Sequence, residues 1–176
     1  VGVLLSLVLF LERTARPSLR DAMPAPGDGA YHFVNRDGAP DCPQLKMLFI
    51  DGPLYFGAVD HVQRHLRAVD AETPERRHLL VLAPGINFVD SAGADLLAQE
   101  ARRRKALGGG LYFHRLQPQV VDTLERAGCL DDIGRAQLLS IGDDVVARIF
   151  PKLDPEVCRR CTVRAFRPCR TAPSPA

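Results

Sequence analysis

Hydrophobic positions fall along this chain in two ways, as short unbroken runs and as longer stretches spaced by three and four. Residues 46–51 ("KMLFID"), 78–85 ("HLLVLAPG") and 111–116 ("LYFHRL") are runs of the first kind. A strand covered on both faces reads as a continuous apolar run of this length, so the first two predict buried strands and the third predicts another strand. Val59, Val62, Leu66 and Val69 share one face of a helix, as do Ala92, Leu96, Leu97 and Ala101. The glycines from Gly108 end the second of these helices. Residues 117–128 predict a short helix closed by Gly128. After residue 138, Val145, Val146, Ile149 and Phe150 line one side of a last segment, with Pro151 as its stop. Residues 31–34 read as an edge strand, and Leu54, Tyr55 and Phe56 as a brief pairing after Pro53. The order strand, helix, strand, helix, strand, helix, helix predicts an α/β fold, a mostly parallel sheet with packed helices.

The ends break this pattern. Residues 1–11 carry no charge and are followed by Glu12, Arg13, Arg16 and Arg20. As a helix they span about 17 Å, against a hydrocarbon core of about 30 Å. A secretory signal would carry its positive charges before the apolar run, and a buried helix would show polar gaps at helical spacing. Residues 1–16 therefore read as the truncated end of a transmembrane helix, in a chain that opens with Val rather than Met. The arginines that follow place the rest in the cytosol. Residues 17–29, rich in Pro, Gly and Ala, read as a linker. Residues 153–176 form a basic, Cys-containing extension whose Pro-rich end is expected to fray.

Composition changes this picture little. Hydrophobic content of 46% with 25% charged residues is ordinary for a globular α/β domain. A net charge of +2 gives no case for a nucleic-acid partner. Charge is less even locally. Five Arg and no acid lie between residues 158 and 170, a stretch suited either to anionic lipid or an acidic partner, or to a solvated surface. Arg102, Arg103, Arg104 and Lys105 read as a solvated helix face. No nucleophile elbow, P-loop or paired-carboxylate motif is present, so no catalytic residue and no cofactor are expected.

Five cysteines without a preceding signal peptide fit a reduced compartment better than a disulfide framework. Cys158 and Cys161 form a CxxC, with Cys169 beyond it. Zinc would need a fourth ligand, from Cys42, His114 or another chain. Free thiols, a metal site and a redox pair all remain open. His61 and His65, four apart on a helix, lack the acid of a hydrolytic HExxH and read as an exposed face. Tyr55 and Phe56 read as core or edge packing.

The stretch "NFVDSAGADLL" (residues 87–97) joins the central apolar run to the second helix. Asp90 stands where an N-cap belongs and can accept hydrogen bonds from the N–H groups two and three residues on. Small Ala92 and Gly93 leave the first turn open to an anion, although Asp90 itself fills part of that positive site. In open α/β sheets the ligand crevice lies beyond the carboxyl ends of the strands, where this loop falls. A capped helix and a docking site are both consistent with the residues.

"VDSAGADLL", preceded by "LLVLAPGINF" and "IDGPLYFGAVDHVQRHL", resembles a STAS domain, the type shared by sulfate transporters and anti-sigma-factor antagonists. "DGPLYFGA" is similar to the version on the cytosolic end of SulP-type anion transporters, and "GGLYFHRLQPQVVDTLERAG" continues the likeness in register. The resemblance covers residues 30–152. It implies a mostly parallel or mixed sheet of about four to five strands with packed helices. It also implies a non-catalytic regulatory domain at the cytoplasmic face of the (inner) membrane, tethered to the transmembrane transporter domain of the same polypeptide. A homodimer through that membrane domain, a cytosolic protein or a nucleotide at the loop would be its partners. In the antagonist branch the loop resembles Asp-Ser-Ser-Gly, with the second Ser as phosphoacceptor. Ala92 stands at that position here, and Ser91 matches the Ser that is not the usual acceptor. The resemblance thus leaves Asn87, Asp90, Ser91, Ala92 and Gly93 as an unmodified binding or regulatory loop, with phosphorylation at Ser91 as the lesser alternative. A stand-alone STAS signalling protein, or a metal- or redox-sensing module on Cys158, Cys161 and Cys169, are the alternatives.

Overall fold

The apolar runs become the centre of a six-stranded sheet. The computed structural model describes residues 2–14, 16–25 and 32–171. Helix α1 (Gly2–Thr14) leads into β1 (Ser18–Pro24) and β2 (Phe33–Asn35). Then come β3 (Leu45–Asp51), α2 (Phe56–Glu72), β4 (His78–Leu82), α3 (Ser91–Ala106) and β5 (Gly110–His114). After them follow α4 (Pro118–Arg126), α5 (Leu130–Ile133), β6 (Leu138–Leu139), α6 (Val145–Ile149), α7 (Pro155–Arg160) and α8 (Arg167–Thr171). The sheet order is β2-β1-β3-β4-β5-β6. β3 to β6 run parallel, while β1 is antiparallel to both its neighbours. The α/β architecture is the one the periodicity predicts, with six strands in place of four to five.

Alternate residues of the central strands feed two separate cores. Leu48 and Ile50 of β3, Leu79 and Val81 of β4, and Leu111 and Phe113 of β5 face α2, α3 and α4. Leu45, Met47, Leu80, Leu82 and Tyr112 face the other way, toward Val145, Val146, Ile149, Leu153 and Phe166. Strands covered on both sides have no polar face, which is why they read as unbroken apolar runs. The segment after residue 152, expected to be an appended extension, supplies Leu153 and Phe166 to this second core.

Three further expectations are corrected. Residues 17–24, read as part of a linker, contain β1, which pairs with β3 from Ser18 opposite Asp51 to Asp21 opposite Leu48. Apolar alternation does not betray this strand because ion pairs hold it. Lys46, 2% exposed, places its Nζ 2.6 Å from Asp21 and 2.9 Å from Asp41, and Arg20 pairs with Asp51. Residues 26–29 of the same segment, and Tyr31 of the predicted edge strand, lie outside the described residues. The basic run on α3 is not a solvated face throughout. Arg104 is buried, with Nε 2.6 Å from Glu100 and a terminal nitrogen 2.9 Å from Asp70, while Arg103 pairs with the same two acids. His61 and His65 are half-buried rather than exposed, and His61 Nε2 lies 3.2 Å from the Pro17 carbonyl oxygen. No described helix is long and apolar enough to cross a membrane.

Candidate functional site

The carboxyl ends of β3, β4 and β5 stand side by side, and the loops leaving them are tied by backbone hydrogen bonds. Gly52 N–H donates to the Gly85 carbonyl (3.0 Å), Leu54 N–H to Phe88 (2.9 Å) and Asp90 N–H to Leu54 (3.1 Å). Leu54 and Val89 form a parallel bridge with both side chains buried. Gln117 Nε2 donates to the Pro84 carbonyl at 2.8 Å, fastening the loop after β5 to the same edge. Gly52 turns the chain at φ 128°, a conformation side-chain-bearing residues avoid.

Asp90 caps α3 as its position predicts: Oδ1 accepts the Gly93 N–H at 2.8 Å. The other oxygen does something the sequence does not announce. Oδ2 accepts the N–H of Phe56, the first residue of α2, at 3.0 Å. One carboxylate thus serves the amino termini of two helices, where its charge meets the positive ends of both dipoles. Both oxygens being engaged, the positive site at the start of α3 is filled by the protein's own anion. Gly93 permits the close approach, since a Cβ there would stand 2.2 Å from the Leu54 carbonyl oxygen.

Around this knot Asn87 and Ser91 are exposed, Ala92 is half-buried and Gly93 is buried. Phe56, read as packing, is instead 81% exposed, and Phe88 is 54% exposed. These two aromatics are the site residues that sequence reasoning missed. No signal in the sequence separates Phe88 from Ile86 and Val89, which lie in the same stretch before the cap and are buried.

The cysteine candidates lie at the opposite, amino edge of the sheet. Cys158 in α7, Cys161 just after it and Cys169 in α8 are half-buried, and all five cysteines are free. Cys42 is buried among the same elements, and burial pushes its thiol up to about 11, with Cys169 and Cys161 adding to the rise. His114 packs instead against the Phe33 ring, with centroids 5.4 Å apart. Among the described residues no group of three or more His, Cys, Asp or Glu is arranged to hold a metal ion.

The sequence profile of the STAS domain matches residues 35–154. The chain belongs to the STAS domain family. It is 31% identical over 172 residues to solute carrier family 26 member 10 of Mus musculus, across 93% of this chain and 25% of that protein. With "Probable sulfate transporter 4.2" of Arabidopsis thaliana it shares 26% identity over 146 residues, across 77% of this chain and 22% of the relative. The murine Slc26a9 anion transporter, solved in the inward-facing state, has the same fold over this region. The TM-score is 0.69 at 19% identity, across 85% of this STAS chain and 25% of that chain. The chain spans about a quarter of the length of these relatives, each named for transport or solute carriage and not for a reaction it catalyses.

Proposed function

We propose that this chain is the cytosolic STAS domain of a SulP-like sulfate or anion transporter, and that it regulates or assembles the membrane part without catalysis. The carboxyl edge of its sheet is the working surface, with residues 87–93 at its centre. In this reading residues 1–16 are the end of the last transmembrane helix.

The observation that carries the proposal is where α1 joins the sheet. Ser18 pairs with Asp51, so β1 begins at the carboxyl end of β3. Pro17 is buried there, with its Cα 3.0 Å from where a Gly52 Cβ would stand. The edge that receives the chain from the membrane therefore also presents Phe56, Phe88, Asn87 and Ser91. Two exposed aromatics beside a fully engaged carboxylate favour a protein surface as partner over a nucleotide. Ala92 at the phosphoacceptor position counts against a stand-alone, kinase-switched antagonist.

The test is made in the full-length transporter. Phe88→Ser and Ala92→Glu are expected to change sulfate uptake at least several-fold while surface expression stays at the wild-type level. Wild-type uptake by both variants, properly expressed, would reduce the loop to a helix cap and remove the proposal.

A further inference from the structure

A cavity of about 350 Å³ opens at the amino edge of the sheet, at the end opposite residues 87–93. It lies between the starts of β3, β4 and β5 and the turn before α7, and its volume is in the range of sites for small organic molecules. The wall is mostly polar, with Leu153 and Val157 as the apolar exceptions. Arg77 and Lys152 bring positive charge to it, and among the described residues neither is paired with an acid. Both are held in place. Lys152 Nζ sits 4.8 Å from the centre of the Tyr112 ring, and Arg77 Nη1 lies 3.9 Å from where a Gly108 Cβ would stand.

His78, 5% exposed, also lines the cavity, and its Nδ1 is 3.2 Å from the Tyr112 hydroxyl. That hydroxyl has no other partner among the described residues, and burial raises Tyr112, so it keeps its proton. A buried O–H donates where it can. Nδ1 therefore accepts, and the ring proton sits on Nε2. Burial, with Arg104, Lys152 and Arg77 nearby, lowers His78 to about 4, so the ring is neutral at pH 7 and Nε2–H is a donor. Two acids share the wall. Asp154 caps α7, with Oδ1 accepting the Glu156 N–H at 2.8 Å, and Glu75 is exposed, where water and salt screen it.

We propose that this cavity binds a small hydroxylated phosphate monoester of the sugar-phosphate class, its dianion held by Arg77 and Lys152 with His78 Nε2–H donating to a phosphate oxygen. Two cations and a neutral donor suit the several oxygens of a phosphate group. The volume exceeds what a lone oxyanion fills, since one water takes about 30 Å³, and the polar wall asks for a body that carries hydroxyls. Calorimetric titration of the full chain with ribose 5-phosphate at pH 7 should give one saturable site with a Kd of about 1 mM or tighter. Inorganic phosphate, inorganic sulfate and ribose should each bind about tenfold more weakly or worse. Arg77→Ala and Lys152→Ala, both at exposed positions, should each weaken binding by about tenfold or more. In the unsubstituted chain the His78 ring signals should shift in NMR spectra as the ester saturates. No saturable binding up to about 10 mM, inorganic phosphate as tight as the ester, or an affinity that neither variant changes would each overturn the proposal. So would a His78 ring signal that stays still at saturation, a reading that needs no variant to fold.

Discussion

At Asp90 a single side chain joins two helices that the sequence keeps apart. Asp90→Ala should cost about 2 kcal/mol, because the Gly93 and Phe56 N–H groups both lose their acceptor; urea unfolding measures it. Gly93→Ala should cost about 3 kcal/mol, since a new methyl meets the Leu54 carbonyl and α3 must move off the β3 loop. The Gly93 bond was legible in the sequence, an acid just before small residues at the start of an apolar helical face. The Phe56 bond was not, because it spans 34 positions and depends on how the loops after β3 and β4 pair. Local chemistry predicts local partners and says little about distant ones.

The elements divide along the same line. The predicted strands at β3, β4 and β5 all exist, since burial on both faces writes itself as consecutive apolar residues. β1 escaped notice because only Leu19 and Ala22 of it reach the cores, while its charged residues pair with other segments. Lys46 is the clearest case, a lysine at the edge of an apolar run that ends up buried between Asp21 and Asp41. Lys46→Ala should destabilise the domain by about 2–3 kcal/mol, because Asp21 and Asp41 lose their shared buried cation while keeping Arg36 and Arg76. Hydrogen exchange should show the loss first in the amides of β1. Arg104 on α3 follows the same logic. A basic run looks solvated until Asp70 arrives from α2.

For the molecule as a whole, pH is the most direct probe. Burial, with Arg104, Lys152 and Arg77 nearby, lowers His78 to about 4, and burial also lowers His65 and His114. Such groups are neutral when folded and take up protons near pH 6.5 when unfolded. Their contribution is therefore complete above pH 6.5 and is lost as pH falls toward 4. Asp21 adds to this at lower pH. Burial would raise its carboxyl, but bonds from Lys46 and Arg36 outweigh burial and hold it below 3.8, so its contribution fades as pH falls through that lowered value. The melting temperature should decline steadily from pH 7 to 4.5, and His78→Gln should flatten the slope. The transporter reading also predicts that the native product is several-fold larger than 19.3 kDa and sediments with membranes, as an immunoblot of fractionated cells would show. The α/β class and the carboxyl-edge loop were readable from periodicity and position. The second core layer was readable only in part: Val145, Val146 and Ile149 share one apolar side, but Leu153 and Phe166 are lone apolar residues among prolines and arginines. The antiparallel β1–β3 pairing carries a mechanical consequence. Its hydrogen bonds lie across the strand axis. A pull on α1 along that axis loads the bonds from Ser18 to Asp21 together, in shear, while a sideways pull would peel them one at a time. The stretch that looked like a slack tether is thus a stiff coupling, able to pass tension from the helix into the centre of the sheet.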